Sequence, residues 1–225
     1  MQLLNSLQQR LERIYEIGLG LDVRDFVTDD RRLARMLDDG AGTRNAAEKL
    51  LVHQDASGLS MSLFLDPELL EALAGVEDPE ALEEEALPEL MTAIEGISHF
   101  LYLAWNAHHD RPVSRFEMEL QAEVDKFVLA GVMAAARNRG RIPWRLHHWL
   151  FGRLRLSPGL SAAERHRYQS AHAYARSYTE GLRRRFLASG QPGLLHELRR
   201  FYRLTHRYKL RHITRPAAPA LFPCL

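Results

Sequence analysis

The sequence contains a single cysteine, Cys224, and no apolar run long enough to cross a lipid bilayer. One cysteine excludes a disulfide within the chain, and a thiol-poor composition is typical of a reducing compartment. Residues 1–5 lack the basic and apolar regions of a secretory signal peptide. We therefore expect a cytoplasmic protein without a transmembrane segment, and its many Arg, Leu and Ala residues suggest a bacterial source with a high-GC genome.

The motifs of common enzymes are also missing. The sequence has no P-loop, no glycine-rich dinucleotide fingerprint, no nucleophile elbow and no cysteine pairs for zinc. Its serine, histidine and aspartate residues follow no spacing that joins them into a catalytic triad. These absences favour a non-enzymatic protein and leave clusters of polar side chains as the candidate sites.

The net charge of +1 conceals two parts of opposite sign. Residues 1–135 carry 26 acids and 11 bases, a net charge of −15, whereas residues 136–225 carry 3 acids and 19 bases, a net charge of +16. An asymmetry of this size indicates docking or a charged partner. Because the two values nearly cancel, docking of one part on the other within a molecule is the preferred interpretation.

The spacing of apolar residues predicts a mainly α fold. Residues 87–138 contain apolar residues at steps of three and four on both sides of a turn near residue 110, which predicts a central antiparallel helix pair. Residues 49–65 alternate apolar and polar side chains around a turn, which predicts one small β-hairpin packed on helices. Caps and periodicity predict further helices over residues 3–18, 31–39, 67 onward, 142–154, 162–188 and 194–212.

These elements predict a multi-helix bundle that forms a single compact domain of residues 1–225. It would consist of an acidic part, residues 1–138, a basic helical part, residues 139–215, and an extended tail, residues 216–225. Gly96 and Gly131 lie inside the central helices, where glycine costs about 1 kcal/mol relative to alanine. We expect neighbouring backbones to approach closely at these two positions.

A polar stripe follows the central helix pair, with Glu95 and His99 on the first helix and Glu119, Glu123 and Lys126 on the second. In an antiparallel pair, Glu123 falls opposite His99 and Lys126 falls near Glu95. Carboxylates and histidines that face each other inside a bundle can bind metal ions, so Glu95, His99 and Glu123 form a candidate site for a divalent metal. The preferred alternative is an ion-pair network, Glu95–Lys126 and Glu123–His99, that sets the helix register.

Arginines alternate with aromatic residues in the basic part, a pattern that suits a macromolecular partner. The candidate partner-binding residues are Arg183, Arg184, Arg185, Arg199, Arg200, Arg203, Arg207, Lys209 and Arg211. The leading hypothesis is a non-enzymatic interaction or adaptor protein that binds another protein or a second copy of itself, with no cofactor. The alternatives are a small metal-binding enzyme or sensor, and a factor that binds nucleic acid or another anionic surface.

Overall fold

The computed structural model describes residues 1–37, 46–56, 58–81, 84–152, 154, 156–157, 159–188 and 192–214. The fold is mainly helical, as predicted. The helices are α1 (Gln2–Tyr15), α2 (Arg31–Met36), α3 (Pro67–Ala72), α4 (Leu87–His108), α5 (Arg115–Arg137), α6 (Arg145–Phe151), α7 (Ala162–Leu182), α8 (Leu194–Arg203) and α9 (His206–Thr214). The strands are β1 (Val27–Thr28), β2 (Glu48–Asp55) and β3 (Gly58–Leu65). No helix in these described ranges is long and apolar enough to cross a membrane.

The predicted central helix pair is confirmed as α4 and α5. Helix α5 begins at a capping box, in which Ser114 and Glu117 satisfy each other's backbone donors. The apolar stripes face each other and form the middle of the core, where Ile97 and Leu120 are completely buried. Helix α1 packs against α4, and α7 packs against α5. The central pair is therefore covered from both parts of the chain.

The predicted hairpin is also confirmed, as strands β2 and β3 pair in antiparallel fashion with Leu50 opposite Leu63. A third strand, β1, adds to β3 in parallel, so the order of the small mixed sheet is β1-β3-β2. Strand β1 was not predicted, because two residues are too few to show a period. Leu63 and Leu65 are completely buried, and β3 packs on α4.

Gly96 determines how closely the sheet approaches α4. A Cβ atom at this position would lie 2.9 Å from Leu63 Cδ1 and 2.9 Å from Glu48 Oε2. The close neighbours of Gly96 are therefore side chains and not the backbone that was expected, and they include the first residue of β2, which lies against the polar stripe of α4. At Gly131 the nearest atom is Ile142 Cδ1, at 3.3 Å.

Three predicted helices end differently in the structure. The helix expected over residues 194–212 is two helices, because Leu204 takes an extended conformation between α8 and α9. This break reorients the last helix, so that Tyr208 is exposed and Lys209 is buried. Helix α7 ends at Leu182 and continues as a π-helical segment, Arg183–Ala188, while α6 is shorter than predicted. The predicted end of the second helix, at residue 39, and the tail, residues 216–225, lie outside the described residues.

Candidate metal centre

His99 lies on α4 between carboxylates from two other elements. Its Nδ1 atom is 3.4 Å from Glu48 Oε1 on β2, and its Nε2 atom is 3.6 Å from Glu119 Oε2 on α5. Glu95, His99 and Glu119 each offer one ligand atom, and these three atoms lie within 4.8 Å of one another. Bonds of about 2 Å from an ion to nitrogen and oxygen ligands place those ligand atoms no more than about 4 Å apart, so the side chains would converge slightly on binding. The three residues are therefore a candidate ligand set for one metal ion.

Two atoms of this cluster have no hydrogen-bond partner among the residues that the structure describes. They are His99 Nε2 and Glu48 Oε2, and both are shielded from solvent. A buried polar atom without a partner costs about 1–3 kcal/mol of stability, and more when it is charged. The nearest acceptor to His99 Nε2 is Glu119 Oε2 at 3.6 Å, so these two atoms are the ones in the cluster that a further ligand could bond.

The electrostatics of the cluster follow from its burial. Burial opposes protonation of His99, but the charges of Glu48 and Glu119 outweigh it and hold the imidazole pKa well above its usual value. Burial also raises the pKa of Glu48, and His99 opposes that rise. The buried carboxylates therefore favour a cation beside them. Without a metal ion, that cation is the protonated imidazole of His99.

Glu123 lies outside this group of ligands. Its carboxylate accepts from Lys126 and from His172 Nδ1, the latter at 2.7 Å, and Lys126 Nζ also donates to Glu95 at 2.8 Å. Burial works to raise the pKa of Glu123, but Lys126 and His172 lower it to about 2. The expected Glu95–Lys126 pair is thus present. In place of the expected Glu123–His99 pair, the structure brings Glu119, one helical turn away, to His99.

A cleft of about 900 Å³ adjoins the cluster. His99, Glu48 and Glu119 line it together with Arg167 and Tyr168 of α7. The Arg167 side chain is largely buried, and its Nε atom is 3.8 Å from Glu119 Oε1. Three residues of the cluster therefore border the cleft, while His99 Nε2 itself is shielded from solvent.

A second polar cluster is completely buried near the other face of the central pair. Asp125 accepts hydrogen bonds from Tyr15, from Ser98 at 2.6 Å and from Gln121 at 2.9 Å. Lys209 donates to Gln121 Oε1 at 2.6 Å, and its Nζ atom lies 4.4 Å from the centre of the Tyr102 ring. Burial raises the pKa of Asp125 to about 6 and lowers that of Lys209 to about 7.

The nine basic residues predicted to bind a partner lie in different environments. Arg199 pairs with Glu16 at 2.6 Å, and Arg203 donates to the Glu16 carbonyl oxygen, so part of the basic half contacts the acidic half. Arg183, Arg184 and Arg185 lie within 4 Å of acids in their own half. Lys209 is completely buried, away from any external partner. The remaining residues, Arg200, Arg207 and Arg211, are exposed.

Glu48, Arg167 and the environment of Lys209 were not predicted from the sequence. Glu48 precedes an alternating strand and lies 51 positions before His99, so local periodicity could not associate the two. Glu119 was part of the polar stripe, and only the exact register of α4 against α5 distinguishes it from Glu123. The chain matches no protein-family model, and no curated protein or solved structure is detectably similar to it.

Proposed function

We propose that this chain is a metal-dependent protein that binds one divalent ion through Glu95, His99 and Glu119, with Glu48 beside the other ring nitrogen of His99. The observation that supports this proposal is the buried, unpartnered atom His99 Nε2, which belongs to a residue in a group of converging ligands. A cation bound at this nitrogen would satisfy it. It would also neutralise the excess of carboxylates around one imidazole.

The donor set favours a particular range of metals. Carboxylate oxygens suit Mn²⁺ and other hard ions, while an imidazole suits iron and zinc. One histidine with two or three carboxylates therefore favours Mn²⁺, Fe²⁺ or Zn²⁺ over soft ions such as Cu⁺. An ion with an open position towards the cleft can polarise a bound oxygen or lower the pKa of a bound water molecule. The proposal therefore extends to an enzyme or a sensor that acts on a small molecule.

Metal content and thermal stability of the full chain test this proposal. After incubation with Mn²⁺, Fe²⁺ or Zn²⁺ and removal of free metal, we expect one equivalent of bound ion and a higher melting temperature, because the ion binds the folded state preferentially. His99→Ala should abolish both effects. Glu119→Gln should weaken metal binding by more than about tenfold.

Glu123→Gln provides the matched control. This residue is one helical turn from Glu119 and is similarly enclosed, but its carboxylate is bonded to Lys126 and His172. The Glu123→Gln variant should therefore lose stability without losing the metal ion. Substoichiometric metal in the wild-type chain, or an equal loss in Glu119→Gln and Glu123→Gln, would contradict the proposal and favour an ion-pair network.

A second candidate, the interaction role expected from the sequence, is supported by two exposed tryptophans. Trp144 and Trp149 at helix α6 are 72% and 51% exposed. Large exposed aromatic side chains are enriched at protein interfaces. If they mediate self-association, light scattering should show an oligomer that Trp144→Ser/Trp149→Ser converts to a monomer. A wild-type chain that is monomeric at high concentration would contradict this role.

A further inference from the structure

The cleft beside the candidate metal centre has the size of a pocket for a small molecule. Its volume of about 900 Å³ lies within the usual range for ligand sites, which is about 300–1,000 Å³. Such pockets are mostly apolar and contain a few polar groups that orient the ligand. The side chains that line this cleft therefore indicate the chemical class of its ligand.

Basic side chains predominate among the charged groups of the cleft. The cleft is lined by four basic residues, Lys49, Arg111, Arg115 and Arg167, and by three acids. Two of the acids, Glu48 and Glu119, belong to the metal cluster. A bound divalent ion would neutralise these two carboxylates. Because Lys49 and Arg115 already interact with other residues of the chain, Arg167 is a cation of the cleft whose nearest acid, Glu119, would be bound to the ion, and this favours an anionic ligand.

Arg167 is positioned to bind such an anion next to the metal ion. Its Nε atom is buried and has no hydrogen-bond partner among the described residues, since Glu119 Oε1 is 3.8 Å away. The guanidinium group lies 5.1 Å from the centre of the Tyr168 ring, a contact that restricts its orientation. A guanidinium group matches the planar geometry of a carboxylate better than an ammonium group does.

The rest of the lining is largely apolar. Leu59 and Met118 approach from the hairpin and from α5, and Leu103 and Ala107 approach from α4. We propose that the cleft binds a small organic acid with an apolar body, whose carboxylate lies between the metal ion and Arg167. The contact with the ion rests on the proposed metal function, whereas the contacts with Arg167 and the apolar lining do not.

Calorimetric titration of the metal-loaded full chain with octanoate tests this inference. Acetate supplies the same charge without the apolar body, and octanamide supplies the same body without the charge. We expect octanoate to bind at least about tenfold more tightly than either, since one lost charge-assisted hydrogen bond or a few exposed methylene groups each correspond to about that factor.

Two variants localise the binding. Arg167→Gln should weaken octanoate binding at least about tenfold, whereas Arg176→Gln, an exposed arginine on the same helix that does not line the cleft, should not change it. Ala107→Phe should fill the cleft and abolish octanoate binding while metal content is unchanged. This second variant tests the cleft even if Arg167→Gln does not fold.

The outcomes separate the two proposals. Equal affinity for octanoate and octanamide, or unchanged octanoate binding in both Arg167→Gln and Ala107→Phe, overturns the inference. Stoichiometric metal without octanoate binding overturns this inference alone. Octanoate binding with the expected preferences, in a chain that binds no metal, supports the anion site and overturns the metal function.

Discussion

Two buried polar clusters lie on the central helix pair, and they differ in how completely their atoms are bonded. In the cluster around Asp125, both carboxylate oxygens accept hydrogen bonds, and Lys209 is bonded to Gln121. In the cluster around His99, two buried atoms have no partner and three residues face a cleft. The charged groups of the first cluster are therefore bonded within the chain, whereas the second has unpaired buried atoms beside a cleft that could admit a ligand. Burial of charge alone therefore does not identify a functional site.

The largest effect that distinguishes the two clusters is expected at Asp125. Asp125→Ala leaves the donors of Tyr15, Ser98 and Gln121 unpaired in the core, and we expect the free energy of unfolding to fall by about 3–5 kcal/mol. Urea denaturation measures this loss, which should be the same with chelator and with metal. Glu71→Ala, at an exposed position, should change stability by less than about 0.5 kcal/mol. If the stability lost in Asp125→Ala depended on metal, the two clusters would not be separate.

A smaller loss is expected where Lys126 connects Glu95 to Glu123. Lys126→Met leaves two carboxylates without their cation, and Glu95→Gln leaves the ammonium group with one fewer partner. Each variant should lose about 3 kcal/mol, at the low end for buried pairs because both side chains are partly exposed. The double variant should lose less than the sum of the single variants in urea denaturation. Additive losses would mean that the 2.8 Å contact contributes nothing to stability.

Gly96 connects the His99 cluster to the sheet, and its substitution should have a moderate effect. Gly96→Ala places a methyl group 2.9 Å from Glu48 Oε2 and Leu63 Cδ1, so the sheet must move away from α4. We expect a loss of about 1–2 kcal/mol in thermal denaturation, together with weaker metal binding, because overpacking outweighs the better helix propensity.

Gly181→Ala is the matched control for this substitution. Gly181 also lies within a helix, but no atom lies within 4 Å of the added methyl group. Its replacement should raise stability by up to about 1 kcal/mol. Similar effects of the two substitutions would contradict the role of Gly96 in holding Glu48 against His99.

The smallest expected effect is in the pH dependence of the Lys209 cluster. Burial lowers the pKa of Lys209 to about 7, below its unfolded value, so the unfolded chain binds more protons above pH 7. This group therefore makes stability rise as pH increases from 7, by about 1 kcal/mol up to pH 8. In the Lys209→Met variant, the free energy of unfolding should not show this rise when it is measured against pH beside that of the wild-type chain. An identical pH dependence in both chains would show that Lys209 keeps its proton in the folded state.

The regular elements could be predicted because their signals are local. Apolar residues at helical spacing predicted α4 and α5, and the capping box at Ser114 and Glu117 predicted where α5 begins. The alternation before Leu65 likewise predicted the hairpin. The break at Leu204 was missed because an apolar stripe continues across it, and only the exposed Tyr208 and buried Lys209 reveal the change of direction.

The site could be predicted only in part. Residues one turn apart on one helix, such as Glu95 and His99, lie side by side whatever the rest of the fold does. Glu123 was predicted opposite His99, but the structure brings Glu119 there, because the two glutamates share one face of α5 and differ by a single turn of register. That register depends on side-chain packing along the whole interface, and a spacing rule with an error of one turn cannot determine it.

By itself, the sequence determined the helices, the hairpin, the polar stripe on the central pair and the division into acidic and basic parts. Each of these is encoded by neighbours within a few positions or by composition. Only the tertiary structure decided that Glu48 and Arg167 join His99, and that Lys209 joins Asp125 in the core. The contacts that place them there, Glu48 with His99, Arg167 with Glu119 and Lys209 with Gln121, join residues from 48 to 88 positions apart. They form only when sheet and helices pack together, and the absence of a side chain at Gly96 permits Glu48 to approach α4 closely.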